Sequence, residues 1–221
     1  MKVKLVSYSK PHTESGTENK DIIDLVAYCA RVSNPANQNN TKTSKKLVEY
    51  LIKNKHWSPL EMVNVCLEIE TTRDIARQLL RHRSFSFQEW SQRYANPVEE
   101  LDFTIKEARL QDNVNRQNSI EIEDSKLQSE WEQKQQQLID LIKDTFKWAM
   151  GKGIAKECAR VILPEGLTNS RLYVNGNLRS WIHYIELRSA NGTQKEHMLL
   201  ARECAKVISE IYGGIVNYVG K

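Results

Sequence analysis

The chain has few of the residues that build disulfide frameworks, zinc sites and phosphate-binding loops. Its four cysteines are spread over 221 residues, and no Cys-x-x-Cys pair occurs. Structural zinc sites need closely spaced cysteine and histidine ligands, so a metal centre is not expected. We expect each cysteine to be a small buried apolar residue instead, namely Cys29, Cys66, Cys158 and Cys204.

Glycine is also sparse, with nine residues, and the chain has no Gly-x-Gly-x-x-Gly loop. In that loop the backbone amides at a helix N-terminus hold a pyrophosphate. A dinucleotide therefore cannot be bound here in the Rossmann manner. Its phosphates would have to meet arginine, asparagine and hydroxyl groups.

Long hydrophobic runs are absent as well. No segment approaches the length of a membrane span, and the first residues, 1–6, lack the apolar stretch of a signal peptide. The formal charge of +4 is mild, so the excess lysine and arginine is better explained by local anion binding and solubility than by a nucleic-acid surface. We expect a cytoplasmic protein without membrane or nucleic-acid partners. The length suits a single domain over 1–221.

Apolar periodicity predicts several helices and a few strands. Val63, Val65, Leu67 and Ile69 alternate with polar residues, which is the period of a half-buried strand. Short strands are also expected at the N-terminus, around Val3 and Leu5, and near 172–174. Helices are expected over 21–32, 44–55, 72–81, 121–150, 154–162 and 194–212, and one more begins at Asn177.

Two further stretches carry weaker signals. Residues 95–120 are expected to be irregular, and Gln133 to Gln137 are expected on a solvated face of the long helix. Because strands and helices do not alternate regularly along the chain, a doubly wound parallel sheet is excluded.

Residues 81–94 read RHRSFSFQEWSQRY and combine anion-binding groups with apolar side chains more densely than any other segment. Arg81, Arg83 and Arg93 can each offer a planar fork of donors to a phosphate or a carboxylate. His82 adds a ring whose charge changes near neutral pH, and serines supply hydroxyl groups. The segment indicates a site for an anionic ligand that carries a ring. For the first two arginines the alternative is an ordinary basic helix end, which the helix dipole favours without any function.

The spacing within this segment resembles the signature of the flavin-dependent thymidylate synthases. Seven residues separate the Arg-His-Arg run from the serine of the motif, and the positions that match are Arg81, His82, Arg83, Ser86, Glu89, Ser91, Arg93 and Tyr94. A pattern that fixes about eight positions is far more specific than a three-residue motif. One position departs from it, since Gln88 stands where the family usually has asparagine.

Other blocks resemble the family in the same order and cover most of the chain between residues 25 and 212. They are Ala30-Arg31-Val32-Ser33, the block from His56 to Glu61, the block from Ala159 to Pro164, the block from Asn177 to Ser180, and Leu187-Arg188. The weakest block spans 191–196. It keeps Gln194 and Glu196 but has Gly192-Thr193 where relatives often carry histidine and alanine, so no family contact is transferred there.

The resemblance implies a fold, a reaction and a set of ligands. The fold would be α/β, close to α+β, with a small antiparallel sheet and several long helices, assembled as a homotetramer with active sites between subunits. The reaction would be the methylation of dUMP to dTMP with methylenetetrahydrofolate as carbon donor and FAD, reduced by NADPH, as hydride source. A cysteine nucleophile would not be needed.

Carried over position by position, the resemblance also implies the site residues. The dUMP contacts would be Gln78, Arg81, Glu89, Trp90, Ser91, Gln92, Arg93 and Arg160, with Trp90 and Gln92 acting mainly through backbone amides, and Arg188 would be the catalytic residue that activates the uracil ring. The FAD contacts would be Ser58, Arg81, His82, Arg83, Glu89, Asn177, Arg179 and His183. The residues bordering the folate would be His56 and Tyr94.

Simpler explanations are open for some of these residues. His183 could be a core histidine, Gln78 an ordinary exposed helix residue, and Arg160 and Arg188 could each only stabilise a helix end. A different class of function is open too. Arginines interleaved with aromatic residues could form a platform for single-stranded RNA, with bases stacked on the rings. No RNP-like motif occurs and charge is not concentrated elsewhere, which favours the enzyme.

Overall fold

The structure is a computed structural model, and it describes residues 1–16 and 21–212. Along the chain the elements are β1 (Lys2–Tyr8), α1 (Ile22–Ala30), α2 (Ser44–Lys53), β2 (Asn64–Thr72), α3 (Arg73–Leu79), β3 (Ser86–Glu89), α4 (Pro97–Glu100), β4 (Arg109–Gln111), β5 (Ser119–Glu121), α5 (Ser125–Gly151), α6 (Lys156–Ala159), β6 (Asn169–Asn177), α7 (Leu178–Ser189) and α8 (Lys195–Tyr212). Short 3-10 helices lie at Thr13–Ser15, Pro35–Asn37, Ser58–Met62 and Arg160–Ile162.

An antiparallel sheet of four strands, in the order β1-β2-β6-β3, forms the centre. In β2 the side chains of Val65, Leu67 and Ile69 are fully buried while their neighbours are not, as the alternation predicts. Leu172 and Val174 of β6 pair with Ile69 and Leu67 and extend the same apolar face. Helices α1, α2, α3, α7 and α8 contribute most of the other buried side chains of this core, and burial of the shared apolar surface stabilises the fold.

The other face of the sheet is polar and carries a ladder of paired charges. Lys4 on β1 donates to Glu68 on β2 at 3.2 Å, and Arg171 on β6 donates to Glu70 on β2 at 2.6 Å. The pairing of β1 with β2 also shifts by one residue between positions 5 and 7, where a bulge or irregularity interrupts the ladder.

Two helices directly follow the central strands along the chain. β2 runs into α3, whose N-cap is Thr72, and β6 runs into α7, whose N-cap is Asn177. Because β2 and β6 are antiparallel neighbours, these helices begin at opposite ends of the sheet. They converge at their C-terminal ends, where His82, just after α3, contacts Arg188 in the last turn of α7.

The long helix α5 packs mainly in a second, smaller core. Ile142, Phe146 and Ala149 are buried there together with side chains from α4 and α6. The helix ends in a left-handed cap at Gly153, whose φ is +73° and whose N–H donates to the carbonyl of Met150 at 3.0 Å. The helix therefore ends at Gly151, one residue beyond the predicted end at 150.

The expectation that Gln133 to Gln137 lie on a solvated face is wrong at Gln135, which is only 3% exposed. Its amide donates to the carbonyl of Lys106 at 2.8 Å and accepts from the N–H of the same residue at 2.9 Å. Two turns earlier, Gln128 accepts from the N–H of Ala108 at 2.8 Å. Side-chain amides thus hold an extended segment against α5, and apolar periodicity cannot reveal such contacts.

The strand at 63–70 and most of the predicted helices are confirmed, with small shifts at their ends. The helix predicted over 154–162 is instead a four-residue α6 followed by a 3-10 helix. The strand predicted near 172–174 is longer than expected, because β6 has nine residues. Residues 95–120 are not wholly irregular, since they contain α4, β4 and most of the strand β5 that pairs with β4. Within the described ranges, no helix combines the length and apolar character needed to cross a bilayer.

The cysteines differ from the expectation. Cys204 is fully buried, but Cys29 and Cys66 are half-buried and Cys158 is exposed. Cys66 lies between buried residues of β2 and therefore faces the polar side of the sheet, while Cys158 lies on the short helix α6. The prediction of four buried thiols is thus right only for Cys204.

Candidate active site

Arg188 and His82 are in contact although they lie 106 residues apart in the chain. The Nε–H of Arg188 donates to the Nε2 of His82 at 3.0 Å, so this nitrogen carries a lone pair and the ring is neutral. Burial, and then the charge of Arg188, lower the pKa of His82 to about 4. The other guanidinium donors remain for a ligand that gains negative charge.

Aromatic rings fix the segment after α3 on α7. The His82 ring lies edge-on to the ring of Tyr184, with 4.9 Å between centroids, and the Phe85 ring lies 4.5 Å from that of Trp181. Tyr184 and Trp181 are almost completely buried. The position of the Arg-His-Arg run is therefore set by core packing and not by a mobile loop.

Gln78 lies in a chain of hydrogen bonds that runs from α3 to α8. Its Nε2 donates to the Oε1 of Gln194 at 2.7 Å, and its Oε1 lies 3.1 Å from the Nδ1 of His197. The Nε2 of Gln194 donates to Glu196 at 2.9 Å, and Arg109 of β4 donates to the other oxygen of that carboxylate at 2.6 Å. Gln78 is half-buried, so it is not an ordinary exposed helix residue.

Two of the expected FAD contacts lie together on the first half of α7. Arg179 pairs with Glu61 of the neighbouring 3-10 helix, and the His183 ring lies edge-on to Trp57 with 4.4 Å between centroids. Burial, and then the charge of Arg179, lower the pKa of His183, with Glu186 opposing the shift. His183 is half-buried, so it is not a fully buried core histidine.

Asn177 caps α7 and joins it to the Arg-His-Arg segment. Its Oδ1 accepts from the backbone N–H and the hydroxyl of Ser180, both at 2.9 Å. Ser180 in turn lies 3.3 Å from the carbonyl of Ser84. Because the oxygen of Asn177 is used in capping, its amide N–H groups are the end that can donate to a ligand.

Glu89 ends β3 inside a cluster of charged side chains. Arg77 contacts both of its carboxylate oxygens at 2.6 Å, Arg73 lies at 3.4 Å, and the hydroxyl of Ser170 donates at 2.9 Å. Both arginines also pair with Glu165. The contacts of Glu89 seen here are thus within the protein, and its contacts with dUMP and FAD stay predictions.

The end of the motif lies against α6. Arg93 pairs with Glu157 at 3.1 Å, and the Nζ of Lys156 donates to the carbonyl of Tyr94 at 2.8 Å. Arg160 follows α6 directly and is exposed. Two expected phosphate-binding arginines, Arg93 and Arg160, therefore lie on adjoining segments.

The remaining expected residues have varied surroundings. Ser58, Arg81 and Arg83 are exposed, and Gln92 is buried with an Nε2 that has no hydrogen-bond partner in the described part of the chain. Trp90 donates its backbone N–H to the carbonyl of Arg171 at 2.9 Å, and the Ser91 hydroxyl accepts from the N–H of Arg93 at 3.3 Å. His56 lies edge-on to Tyr50 while Tyr94 is 85% exposed, and no recorded contact in the described residues joins these two expected folate residues.

Sequence reasoning missed four residues that surround Gln78: Arg109, Gln194, Glu196 and His197. Gln194 and Glu196 did stand out as the retained positions of the weakest block. His197 gave no signal, and Arg109 lay in the stretch expected to be irregular. Across residues 1–16 and 21–212, no group of three His, Cys, Asp or Glu side chains could hold a metal ion.

Comparison with known proteins places this arrangement in a family. Residues 17–212 match the family model described as thymidylate synthase complementing protein. The "probable flavin-dependent thymidylate synthase" of Paramecium bursaria Chlorella virus 1 is 46% identical over 217 residues, which cover 98% of each chain. This chain belongs to the flavin-dependent thymidylate synthase family.

A second relative agrees, since the flavin-dependent thymidylate synthase of Synechocystis sp. is 45% identical over 207 residues, or 94% of each chain. The predictions of the family, the enzyme class and the flavin dependence are confirmed. A solved structure shares the fold: the UMP/dUMP methylase PolB from Streptomyces cacaoi, bound with 5-Br dUMP, matches with a TM-score of 0.77 over 95% of this chain and 90% of that chain. At 24% identity this likeness bears on the fold alone, and it confirms the predicted small antiparallel sheet with helices.

Proposed function

We propose that this chain catalyses the reductive methylation of dUMP to dTMP. Methylenetetrahydrofolate would give the carbon, NADPH would give the electrons through FAD, and tetrahydrofolate would be the second product. Family membership supports this reaction. The structural observation that carries it is the contact of Arg188 with His82, which holds a permanent cation beside a neutral ring where α3 and α7 converge.

Arg188 is the residue that would act on uracil. C5 of the ring must become electron-rich to attack the carbon donor, and negative charge then grows on the ring carbonyls. A guanidinium stabilises that charge with two parallel donors. Because the Nε–H of Arg188 already donates to His82, the side chain is held in place before the nucleotide arrives, and no reorganisation is needed during the reaction.

The donors around the start of α7 suit a flavin dinucleotide that is not held in the Rossmann manner. Asn177 can present its amide N–H groups, Arg179 carries a guanidinium, and Arg83 is exposed on the adjoining segment. Such groups can bind a pyrophosphate without a glycine-rich loop. When bound, reduced FAD supplies the hydride that completes the methyl group.

The nucleotide phosphate would be bound by Arg93 and Arg160, with Ser91 and the backbone amide of Gln92. Arg93 now pairs with Glu157, and both side chains are more than half exposed. An exposed ion pair contributes little stability, so a phosphate can replace the carboxylate at small cost. Apart from Arg81, which is expected to contact both ligands, the dUMP and FAD sites then use separate arginines.

A mechanism through a cysteine nucleophile is the second candidate, and the thiols do not favour it. Burial raises the pKa of Cys29 and Cys66, and burial raises that of Cys204 far more, so these groups stay protonated. Cys158 is exposed on α6. Neither Arg188 nor His82 has a cysteine among its recorded hydrogen-bond or ring contacts in the described residues.

The resemblance implies a homotetramer with active sites between subunits, and the exposed side of α5 offers an apolar surface through which copies of the chain could associate. Its exposed apolar residues are spaced by three, four or seven positions: Leu127, Trp131, Leu138, Leu141 and Trp148. Residues at this spacing share one face of a helix, and a stripe of this kind is typical of helix association. Light scattering tests the proposal, because Leu141→Glu should produce smaller species while Lys147→Glu, which introduces the same side chain at another exposed position of α5, should not.

Three further parts of the proposal rest on the sequence alone. The single domain would cover 1–221, of which 17–20 and 213–221 lie outside the described residues. The location would be cytoplasmic. Nucleic acid and metal ions would play no part in the reaction.

Flavin spectroscopy on the purified protein tests the proposed reaction. The protein should bind FAD, and after anaerobic reduction with NADPH it should be reoxidised in one turnover only when dUMP and methylenetetrahydrofolate are both present, with dTMP formed in equal amount. Omitting dUMP is the control. A protein that does not take up added FAD would exclude the proposal, and tight salt-sensitive binding of single-stranded RNA would favour the alternative class.

A further inference from the structure

The amide of Gln78 is held at both ends, and the direction of its hydrogen bonds is determined at Glu196. An ionised carboxylate can only accept, so Gln194 must turn its Nε2 toward Glu196, as the 2.9 Å contact shows. The Oε1 of Gln194 then faces Gln78, which must donate through Nε2 at 2.7 Å. Each amide orientation follows from the previous one.

The last member of this chain is His197. The Oε1 of Gln78 lies 3.1 Å from its Nδ1, so Nδ1 must carry the proton. His197 is fully buried, and its Nε2 has no partner in the described residues. Burial lowers the pKa of His197 to about 3, and the charge of Arg188 and that of His82 in its protonated form add to the effect, so the His197 ring is neutral with a lone pair on Nε2. The structure thus defines one tautomer.

The first member is Arg109, which can only donate and which contacts Glu196 at 2.6 Å. Burial alone would raise the pKa of Glu196, but hydrogen bonds from its own backbone N–H, Gln194 and Arg109 outweigh burial and lower it. The carboxylate therefore stays ionised near neutral pH. A donor-only group at one end thus fixes the polarity of every hydrogen bond up to the ring of His197.

We propose that Arg109, Glu196, Gln194 and His197 are positioning residues that hold the amide of Gln78 in the orientation that accepts uracil and rejects cytosine. This proposal rests on the proposed function, in which Gln78 contacts dUMP. The hydrogen bonds that link Arg109, Glu196, Gln194, Gln78 and His197 form a relay. The amide of Gln78 has two N–H groups and two oxygen lone pairs, and the relay uses one of each. The remaining pair can meet the base.

Base chemistry explains why orientation matters. Uracil presents an N3–H donor between two carbonyl acceptors, whereas cytosine has a bare N3 and an amino group at position 4. A glutamine that can rotate by half a turn matches either pattern, but one held in a single orientation matches only one. A site that leaves a buried polar group unpaired with the wrong ligand discriminates strongly against it.

The substitution Glu196→Gln should invert the relay. The new amide would turn its oxygen toward Arg109, which only donates, and its NH2 toward Gln194. Gln194 would then rotate, Gln78 would present its Nε2 to His197, and the proton on the ring would move from Nδ1 to Nε2. Lys195→Gln is the matched control, because it removes ion pairs to Glu107 and Glu121 beside the relay and leaves the relay intact.

Two measurements test the proposal. NMR of histidine-labelled protein reports the tautomer of His197, whose signal is identified by its absence from His197→Asn. Calorimetric titration of the FAD-loaded protein with dUMP and with dCMP reports selectivity. We expect the Nδ1–H tautomer in the wild type and in Lys195→Gln. In Glu196→Gln we expect the Nε2–H tautomer and a dUMP-to-dCMP affinity ratio that is lower by about tenfold or more, since one misdirected buried hydrogen bond costs about 1–3 kcal/mol.

An Nε2–H tautomer in the wild type would overturn the proposal without any variant. So would an unchanged affinity ratio in Glu196→Gln once its tautomer has inverted. If that variant does not fold, Gln194→Met interrupts the relay at its middle and should also lower the dUMP-to-dCMP affinity ratio. A ratio equal to that of the wild type in Gln194→Met would likewise overturn the proposal. Failure of the wild type to bind dUMP would instead exclude the proposed function, while the tautomer still tests the relay.

Discussion

The ring of Phe85 occupies the space in which a side chain on Gly176 would lie. A Cβ at residue 176 would come within 2.2 Å of the Cδ1 of Phe85, far inside contact distance. Phe85 is 7% exposed and lies 4.5 Å from the Trp181 ring and 5.8 Å from the Tyr184 ring, so it has no room to move away. Strand β6 and the Arg-His-Arg segment are locked together by this contact.

Gly176→Ala should therefore destabilise the protein. Forcing an extra carbon into a filled core typically costs about 1–3 kcal/mol, and here Phe85 would be displaced together with the adjoining arginines. Urea unfolding measures the free energy, and flavin titration measures the effect on the site. The control is Gly166→Ala, because a Cβ at residue 166 would meet nothing within 4 Å. Equal stability of both variants would show that Phe85 can rearrange freely.

Arg188→Ala should fold and keep FAD but lose dTMP formation. Loss of a single preorganised charge-stabilising donor costs on the order of a hundred- to a thousand-fold in rate. Arg188→Lys should recover only a small part, because an ammonium cannot reproduce both the contact with His82 and a planar fork toward the base. Single-turnover flavin oxidation gives the rate, and Arg202→Ala, on an exposed position of α8, serves as control. Turnover near that of the wild type in Arg188→Ala would exclude this residue from the mechanism.

The neutral histidines of the site should make stability depend on pH. The pKa of His82 is lowered to about 4 and that of His197 to about 3, mainly by burial, from an ordinary value of 6.5. Between pH 6.5 and 4 the unfolded chain binds protons that the folded chain does not, so the free energy of unfolding should fall as the pH falls through this window.

Urea unfolding at several pH values between 5 and 7 tests this dependence in a range where most carboxylates remain ionised. In His197→Leu the slope of stability against pH should be smaller than in the wild type, because one buried neutral histidine is removed. The slope is the relevant quantity, since the absolute stability also reflects packing. A slope that does not change would mean that folding does not lower the pKa of His197.

Lys55 is the non-glycine residue with positive φ, at 59°, in the described backbone. It follows α2, where its own N–H donates to the carbonyl of Ile52 at 3.1 Å and the N–H of His56 donates to that of Leu51 at 2.8 Å. This pair of bonds is the Schellman cap, in which glycine is usual because a Cβ is strained there. Lys55→Gly should raise the free energy of unfolding by about 1 kcal/mol. As a control, Lys53→Gly, inside the helix, should lower the free energy of unfolding. A loss of stability in Lys55→Gly would show that the backbone at residue 55 is not strained.

The sequence predicted those parts of the fold that depend on local pattern. The alternation at Val65, Leu67 and Ile69 identified β2, and the apolar periods identified the longer helices. Strand β3 was not predicted, because its four residues are too few to show a period and lie among arginines and serines. The hairpin of β4 and β5 depends on pairing across the chain, which no local pattern reveals.

Some residues of the candidate site could be predicted from the sequence and others could not. The resemblance singled out His82 and Arg188 separately, His82 in the motif at 81–94 and Arg188 in the block Leu187-Arg188, and the structure brings the two side chains into contact although they lie 106 residues apart. His197 could not be predicted, since a histidine on an apolar helix face has no distinctive neighbours in sequence. Its importance comes from a contact with Gln78, 119 residues away, that exists only after α3 and α8 have packed.

The outer strand β1 has a consequence for solubility. A strand at the edge of a sheet exposes unpaired backbone groups, and β1 also has exposed apolar side chains at Leu5 and Val6. Such an edge is a template for another copy of the chain. Lys2 and Lys4 place charge along it, and the register shift between positions 5 and 7 breaks the regular backbone pattern that an added strand would need. The same charges that pair with the glutamates of β2 thus help to keep separate molecules from aggregating through this edge.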